Sequence, residues 1–271
     1  MSGYGERGLS EFLDLVAARE SAPGGGSVAA VTVALAASLT AMSARFASFA
    51  GAEQVAERAN ELRRRATALA DADAAAYGAV LAKRRAARVA GSPASGERMQ
   101  RLLLRATEVP LEVGDIAAEV AGMAARLVRD GNPNLRGDAA TGILLAEAGT
   151  RSTALLVQLN VAELAGPAEA LVRQAERNVA TAAAPFASCC RLVGATHRKR
   201  GAESPRLRRE GGEANARPLD APTGAARCAE WRELAATRRA AQPPHATLHK
   251  REWTPAALGS GGPGRTSDRP T

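Results

Sequence analysis

The side chains of this chain that could do chemistry are few. Residues 1–185 contain no His and no Cys, which removes imidazole bases, thiolate nucleophiles and His/Cys metal sites from that stretch. What remains is carboxylate, Lys, Tyr, hydroxyl, amide and backbone. Asp73 stands inside an apolar stripe that reads Val55, Ala59, Leu62, Ala66, Leu69, Asp73, Ala76 or Tyr77, Val80. A carboxyl in apolar surroundings has its pKa raised towards neutrality and can exchange protons usefully near pH 7. It can equally bond a buried Ser, Thr or Arg and hold two helices in register. Asp138 closes the loop Gly131-Asn132-Pro133-Asn134 and precedes an apolar run, the place of a helix N-cap. Gly24, Gly25 and Gly26 let a backbone approach a ligand closely and offer N–H groups at the mouth of a helix capped by Ser27, an arrangement suited to a carboxylate or a polarised oxygen. The plainer alternative is a tight turn.

These residues need helices to hold them. Leu9, Phe12, Leu13 and Val16 recur at helical spacing, so Ser10–Arg19 is a short amphipathic helix that Pro23 and the glycines terminate. Val28 to about Phe49 is small and apolar on every side, as expected of a helix at the centre of a bundle. The stripe bearing Asp73 predicts a helix from about Glu53 to Arg85. A second stripe, from Leu102 to Leu127, contains Pro110 and should bend near Ala106. Gly131 is expected to stop that helix in a left-handed conformation. Ala139 to about Leu164 is a second central helix, and Ala168 to about Ala184 an amphipathic last one. No strand pattern is present, so the fold class is all-α, a helical bundle with two buried central helices.

Beyond residue 185 the composition changes. Residues 1–185 carry 20 basic and 20 acidic residues and residues 186–271 carry 16 and 8, so the net charge of +8 lies wholly in the second part. All three His, all three Cys, both Trp and 8 of the 14 Pro are there too. Residues 186–271 are therefore expected to be a disordered tail. Charge alone would let such a tail bind nucleic acid, but its basic residues are scattered among Pro, Gly and Ala, and we read the segment instead as one translated out of frame. Three irregularly placed Cys make no disulfide framework, which points to the reducing cytoplasm. The acidic residues near the N-terminus do not fit a secretory signal. The uncharged stretch Ala22–Ala44 could just cross a bilayer, yet its Ala, Ser, Thr and Gly content favours a buried soluble helix, with no membrane partner.

Four blocks occur in order on these helices: PGGGSVAA (23–30), LADADAAAY (69–77), ATEVPLEV (106–113) and GNPNLRGDAATGILLAEA (131–148). Together they resemble the formiminotetrahydrofolate cyclodeaminase and methenyltetrahydrofolate cyclohydrolase family, from the first helix to about Ala184. The resemblance implies an all-α homodimer whose substrate is a tetrahydrofolate derivative. Members close 5-formiminotetrahydrofolate to 5,10-methenyltetrahydrofolate with loss of ammonia, or interconvert the 5,10-methenyl and 10-formyl forms with water. Both reactions pass through a tetrahedral carbon between N5 and N10 and require proton transfer, not a metal. The resemblance also implies that Asn132, Asn134 and Asp138 face the substrate, with Asp138 and Asp73 catalytic and Asp138 the better placed to carry the proton. Gly24, Gly25, Gly26 and Ser27 are then substrate-binding, and Arg136 or Arg151 could hold the folate tail carboxylates, although Arg151 can also pair with Glu147. Where the family often has two Asn in its last buried helix, this chain has Leu156 and Asn160, keeping the second. Arg136 and Gly137 replace the small polar residues common before the Asp.

Overall fold

The computed structural model describes residues 3–202 apart from residue 167, with side chains as far as Cys189. Within them lie six α-helices, two 3-10 turns and no strand. The helices are α1 (Leu9–Ala17), α2 (Gly25–Arg45), α3 (Ala52–Val89), α4 (Glu97–Asp130), α5 (Arg136–Val161) and α6 (Glu169–Ala202). α2 packs against α3, α4 and α5, while α5 packs against α2, α4 and α6. The two helices expected at the centre thus each pack against three others, and α4, which packs against α2, α3, α5 and α6, shares the centre with them. By length and composition α2 could cross a membrane, but most of it is buried inside the bundle.

Small residues let α2 and α5 approach closely. A Cβ at Gly149 would lie 2.5 Å from Val33 Cγ2, and one at Gly142 would lie 3.3 Å from Thr40 Oγ1. The Val33 methyl thus occupies the notch at Gly149. These contacts also fix the direction of the pair: moving forward along α5 from Gly142 to Gly149 moves backward along α2 from Thr40 to Val33, so the two helices are antiparallel.

Three expected boundaries move. α2 begins at Gly25 with Gly24 as its cap, so Ser27 lies in the first turn instead of capping. α5 begins at Arg136 with Leu135 at the cap position, so Asp138 is in the first turn and is not the cap. The 3-10 turn Pro133–Leu135 runs directly into α5 and supplies the bend that a capping residue would otherwise have introduced. Gly131 has φ −85, so it is not left-handed. It is glycine for another reason, since a Cβ there would lie 2.5 Å from the Leu127 carbonyl oxygen.

Pro110 does sit inside α4, which continues through it. Lacking an N–H, Pro110 leaves the carbonyl four residues earlier, Ala106, without its helical donor. Asn160 supplies one: its Nδ2 donates to the Ala106 oxygen at 2.7 Å. The residue kept from the family pattern therefore ties the end of α5 to the weak point of α4. Asn160→Leu should lower stability by about 1–3 kcal/mol, because it leaves that carbonyl unsatisfied. Urea unfolding would show this as a lower midpoint, and an unchanged midpoint would mean that water replaces the amide without loss.

The last helix does not stop at the change of composition. α6 runs through Pro185 to Ala202, and Phe186 and Cys189 pack with Ala44, Ala139 and Ile143. Residue 185 thus falls within a packed helix, because the apolar stripe of α6 continues for another turn beyond it. The tail expected from 186 onward is helical as far as 202, and the remainder, 203–271, lies outside the described residues.

Candidate active site

The mouth of α2 meets the middle of α3. A Cβ on Gly26 would sit 2.0 Å from Asp73 Oδ1 and 2.4 Å from its Cγ, so the aspartate carboxyl lies flat against the glycine backbone. Only glycine leaves that space. Ser27, fully buried, directs its hydroxyl at both the Ala70 carbonyl (2.8 Å) and Asp73 Oδ2 (3.2 Å). Burial pushes the Asp73 carboxyl above its ordinary range, and the Ser27 hydroxyl and peptide N–H, which favour the charged form, only partly oppose it. Asp73 therefore does both things its position in the stripe allowed. It registers α3 against α2 through Ser27, and it is a carboxyl poised to hold a proton at higher pH than usual.

The three glycines differ in their constraints. Gly24 and Gly25 are exposed, and a Cβ on Gly25 would meet nothing within 4 Å. The close approach that singles out this triplet belongs to Gly26.

The second group of expected site residues forms its own cluster. Asn132 Oδ1 accepts the Asn134 N–H at 3.0 Å and so shapes the turn into α5. Arg136 Nε donates to the Val128 carbonyl at 3.2 Å, closing the last turn of α4. Asp138 is half-buried beside them. Arg151 pairs with the buried Glu147 one turn earlier, which takes it up in the local alternative that its spacing allowed.

The two groups lie at opposite ends of the bundle. Ala139 and Ala140 pack with Ala44 at the C-terminal end of α2, whereas Asp73 touches Gly26 at its N-terminal end. Eighteen residues of helix separate Gly26 from Ala44, which is roughly 27 Å at the helical rise. Asn160, at the far end of the antiparallel α5, is on the Asp73 side. Within one chain the structure thus brings Gly24–Ser27, Asp73 and Asn160 to one end and Asn132, Asn134, Arg136 and Asp138 to the other. A cavity of about 550 Å³ between α4, α5 and α6 is lined by residues such as Val128, Ile143 and Pro185 and by none of the expected site residues.

A contact between the N-terminal segment and α3 escaped the reading of the sequence. The Tyr4 N–H donates to Asp71 Oδ1 at 2.9 Å, which places the N-terminal 3-10 turn Tyr4–Glu6 on α3. The available signal was the short spacing of Gly3 and Gly5 around an aromatic residue. Among the described residues no group of three or more His, Cys, Asp and Glu is placed to hold a metal ion.

The fold and this site define a class of protein: an all-α bundle in which a carboxyl from the middle of one helix rests on the glycine mouth of another. A family model described as formiminotransferase-cyclodeaminase matches residues 8–181. The chain is 32% identical over 173 residues to a methenyltetrahydrofolate cyclohydrolase of Methylorubrum extorquens, a match that covers 58% of this chain and 80% of that protein. Its fold is similar to the crystal structure of formiminotetrahydrofolate cyclodeaminase from Thermotoga maritima, with a TM-score of 0.58 and 26% identity over 68% of this chain and 92% of that one. The chain belongs to the formiminotransferase-cyclodeaminase family.

Proposed function

We propose that this protein is a folate-dependent one-carbon enzyme acting on the carbon that bridges N5 and N10 of tetrahydrofolate, and that its main reaction is the hydrolysis of 5,10-methenyltetrahydrofolate to the 10-formyl form. The Asp73 carboxyl, half-buried against Gly26 and Ser27 with its pKa raised, carries this reading. Hydrolysis adds water to the bridging carbon and releases a proton, for which Asp73 serves as base. The relative with the higher identity is a cyclohydrolase, which is why we put this direction first. Closure of 5-formiminotetrahydrofolate is the second reading, favoured by the cyclodeaminase fold match. There the same carboxyl, protonated, would deliver a proton to the departing ammonia. Neither direction needs a metal, and we place the enzyme in the cytoplasm without membrane or nucleic-acid partners. Ultraviolet absorption of the methenyl form follows both reactions. Purified protein that changes neither folate would sink the reading.

We further propose that the working unit is a homodimer in which each site takes Asp73 from one copy and Asp138 from the other. α2 and α5 leave Leu35, Leu144, Leu155 and Leu159 between 44% and 58% exposed, and α2 carries no charge from Gly25 to Ala44. A two-fold axis running across these helices would set the mouth of α2 in one copy against the 131–138 loop of its partner. The roughly 27 Å gap within one chain then disappears. Mixing inactive Asp73→Asn and Asp138→Asn proteins, then allowing subunit exchange, should restore about a quarter of normal turnover, because half the dimers regain one intact site of two. No recovery despite demonstrated exchange would show that both aspartates must come from one chain or that they do not share a site.

A further inference from the structure

We propose that the part of α3 beyond Asp73 seats the aminobenzoyl-glutamate tail of the substrate, with Tyr77 lying against the aminobenzoyl ring and Arg84 holding the tail carboxylates. The inference deepens the proposed function and rests on a folate being the substrate. It takes the tail away from Arg136 and Arg151, both of which are engaged elsewhere: Arg136 donates to the Val128 carbonyl and Arg151 pairs with Glu147.

α2 runs antiparallel to α3, from Gly26 against Asp73 to Ala44 in the same buried cluster as Ala56. Because α2 begins at Gly25, residues 74–89 of α3 overhang its mouth by roughly 24 Å. Tyr77, Arg84 and Arg88 stand about one, three and four turns past Asp73, along the edge of the buried seam Ala76, Val80 and Ala87. They therefore open onto one strip of surface that starts at the carboxyl. Tyr77 is 42% exposed, so much of its ring is left open one turn from Asp73. Side chains on a helix lean towards its N-terminus, which tilts Tyr77 and Arg84 back towards the carboxyl.

Charge at this end of the bundle suits an anionic tail. Residues 83–101, the end of α3 and the start of α4, carry six basic residues and one acidic, although residues 1–185 balance as a whole. Arg84 donates through Nη2 to Glu163, just beyond α5, which holds the guanidinium in place and leaves its other N–H groups for a ligand. Lys83, Arg85, Arg88 and Arg98 have no ion pair among the described residues, so the positive field around Arg84 is uncompensated. The order of groups along α3 is carboxyl, aromatic ring, guanidinium. The order along the substrate is bridging carbon, aminobenzoyl ring, glutamate carboxylates, and a guanidinium is the group best shaped to grip a carboxylate.

The test compares 5-formyltetrahydrofolate with 5-formyltetrahydropteroate, which lacks the glutamate, by calorimetric titration of the full-length protein. The unaltered protein should bind the folate about tenfold more tightly or better, the worth of a charged hydrogen bond. Arg84→Gln should lose about tenfold for the folate and nothing for the pteroate, because the lost group and the missing tail are partners. Tyr77→Ala should weaken both ligands by up to about tenfold, and Tyr77→Phe should bind both normally. In turnover, Tyr77→Ala should raise KM and keep kcat, since the ring is held alike in ground and transition states. Arg64→Gln removes the same charge from an exposed position about two and a half turns before Asp73, on the opposite face of α3, and should change nothing. All these side chains lie at the surface, where an ion pair such as that of Arg84 adds little stability, so the variants should fold. Equal affinity of the unaltered protein for the two ligands, or an Arg84→Gln loss that is the same for both, overturns the tail assignment. Unchanged affinity in Tyr77→Ala overturns the role of the ring. Failure of the folate reading itself looks different, because the unaltered protein would then bind neither ligand.

Discussion

Asp73→Asn should abolish most turnover, by about 10² to 10⁴, and should do so in a protein no less stable than the original at pH 8. The two expectations have one cause. A carboxyl whose folded pKa is raised above its ordinary 3.8 binds its proton more tightly in the folded state than in the unfolded one. Its stabilising contribution is fully present below the unfolded pKa and is lost as pH rises through the folded value. Once pH exceeds the folded value, the chain holds an ionised, half-buried carboxylate at a net cost in stability. Asparagine removes that charge, keeps the volume, and can still accept from Ser27. Thermal unfolding at pH 8 and near pH 4, beside turnover with methenyltetrahydrofolate, separates the roles. If Asp73→Asn is clearly destabilised at pH 8 and its activity falls only with its folded fraction, Asp73 is a register residue and the proton is carried elsewhere.

Gly26→Ala should be the most damaging single methyl that can be added to the mouth of α2. The new carbon would fall 2.0 Å from Asp73 Oδ1, and the carboxyl cannot retreat without giving up Ser27. Overpacking of this kind costs about 1–3 kcal/mol. Displacing a reacting group by about an ångström lowers turnover by roughly 10². Gly25→Ala is the matched control for the fold, since its Cβ meets nothing within 4 Å. Circular dichroism, urea unfolding and turnover of both variants provide the comparison. Equal turnover in Gly26→Ala and the unaltered protein would show that the contact between Asp73 and the glycine has no part in the chemistry.

Much of this architecture can be read from the order of residues. Small, largely apolar runs marked α2 and α5 as central, and each packs against three other helices. Asp73 could be found because it breaks a stripe whose other members, among them Leu62, Ala66 and Leu69, are buried. The boundaries were harder. Ser27 has the identity of a cap, yet Gly24 takes that position and the Ser27 hydroxyl turns to α3. Asp138 was displaced from the cap by the 3-10 turn before it. A local signal states which backbone group a side chain can reach, but not whether a neighbouring helix offers a better partner.

Periodicity, punctuation and composition by themselves determined that residues 1–185 are helical, roughly where each helix lies, and that any ionisable chemistry before residue 185 must do without His and Cys. Those properties are local, set by the character of residues within a few turns of one another. Which carboxylate is buried, which glycine it rests on, and which amide rescues the carbonyl freed by Pro110 were decided only by the tertiary structure. So was the separation of Asp73 from the 131–138 loop. Asp73 and Gly26 are 47 residues apart and Asn160 and Ala106 are 54 apart, and nothing in either neighbourhood encodes the other. Their meeting follows from the antiparallel packing of whole helices, where one methyl in the notch of Gly149 sets the register for groups several turns away.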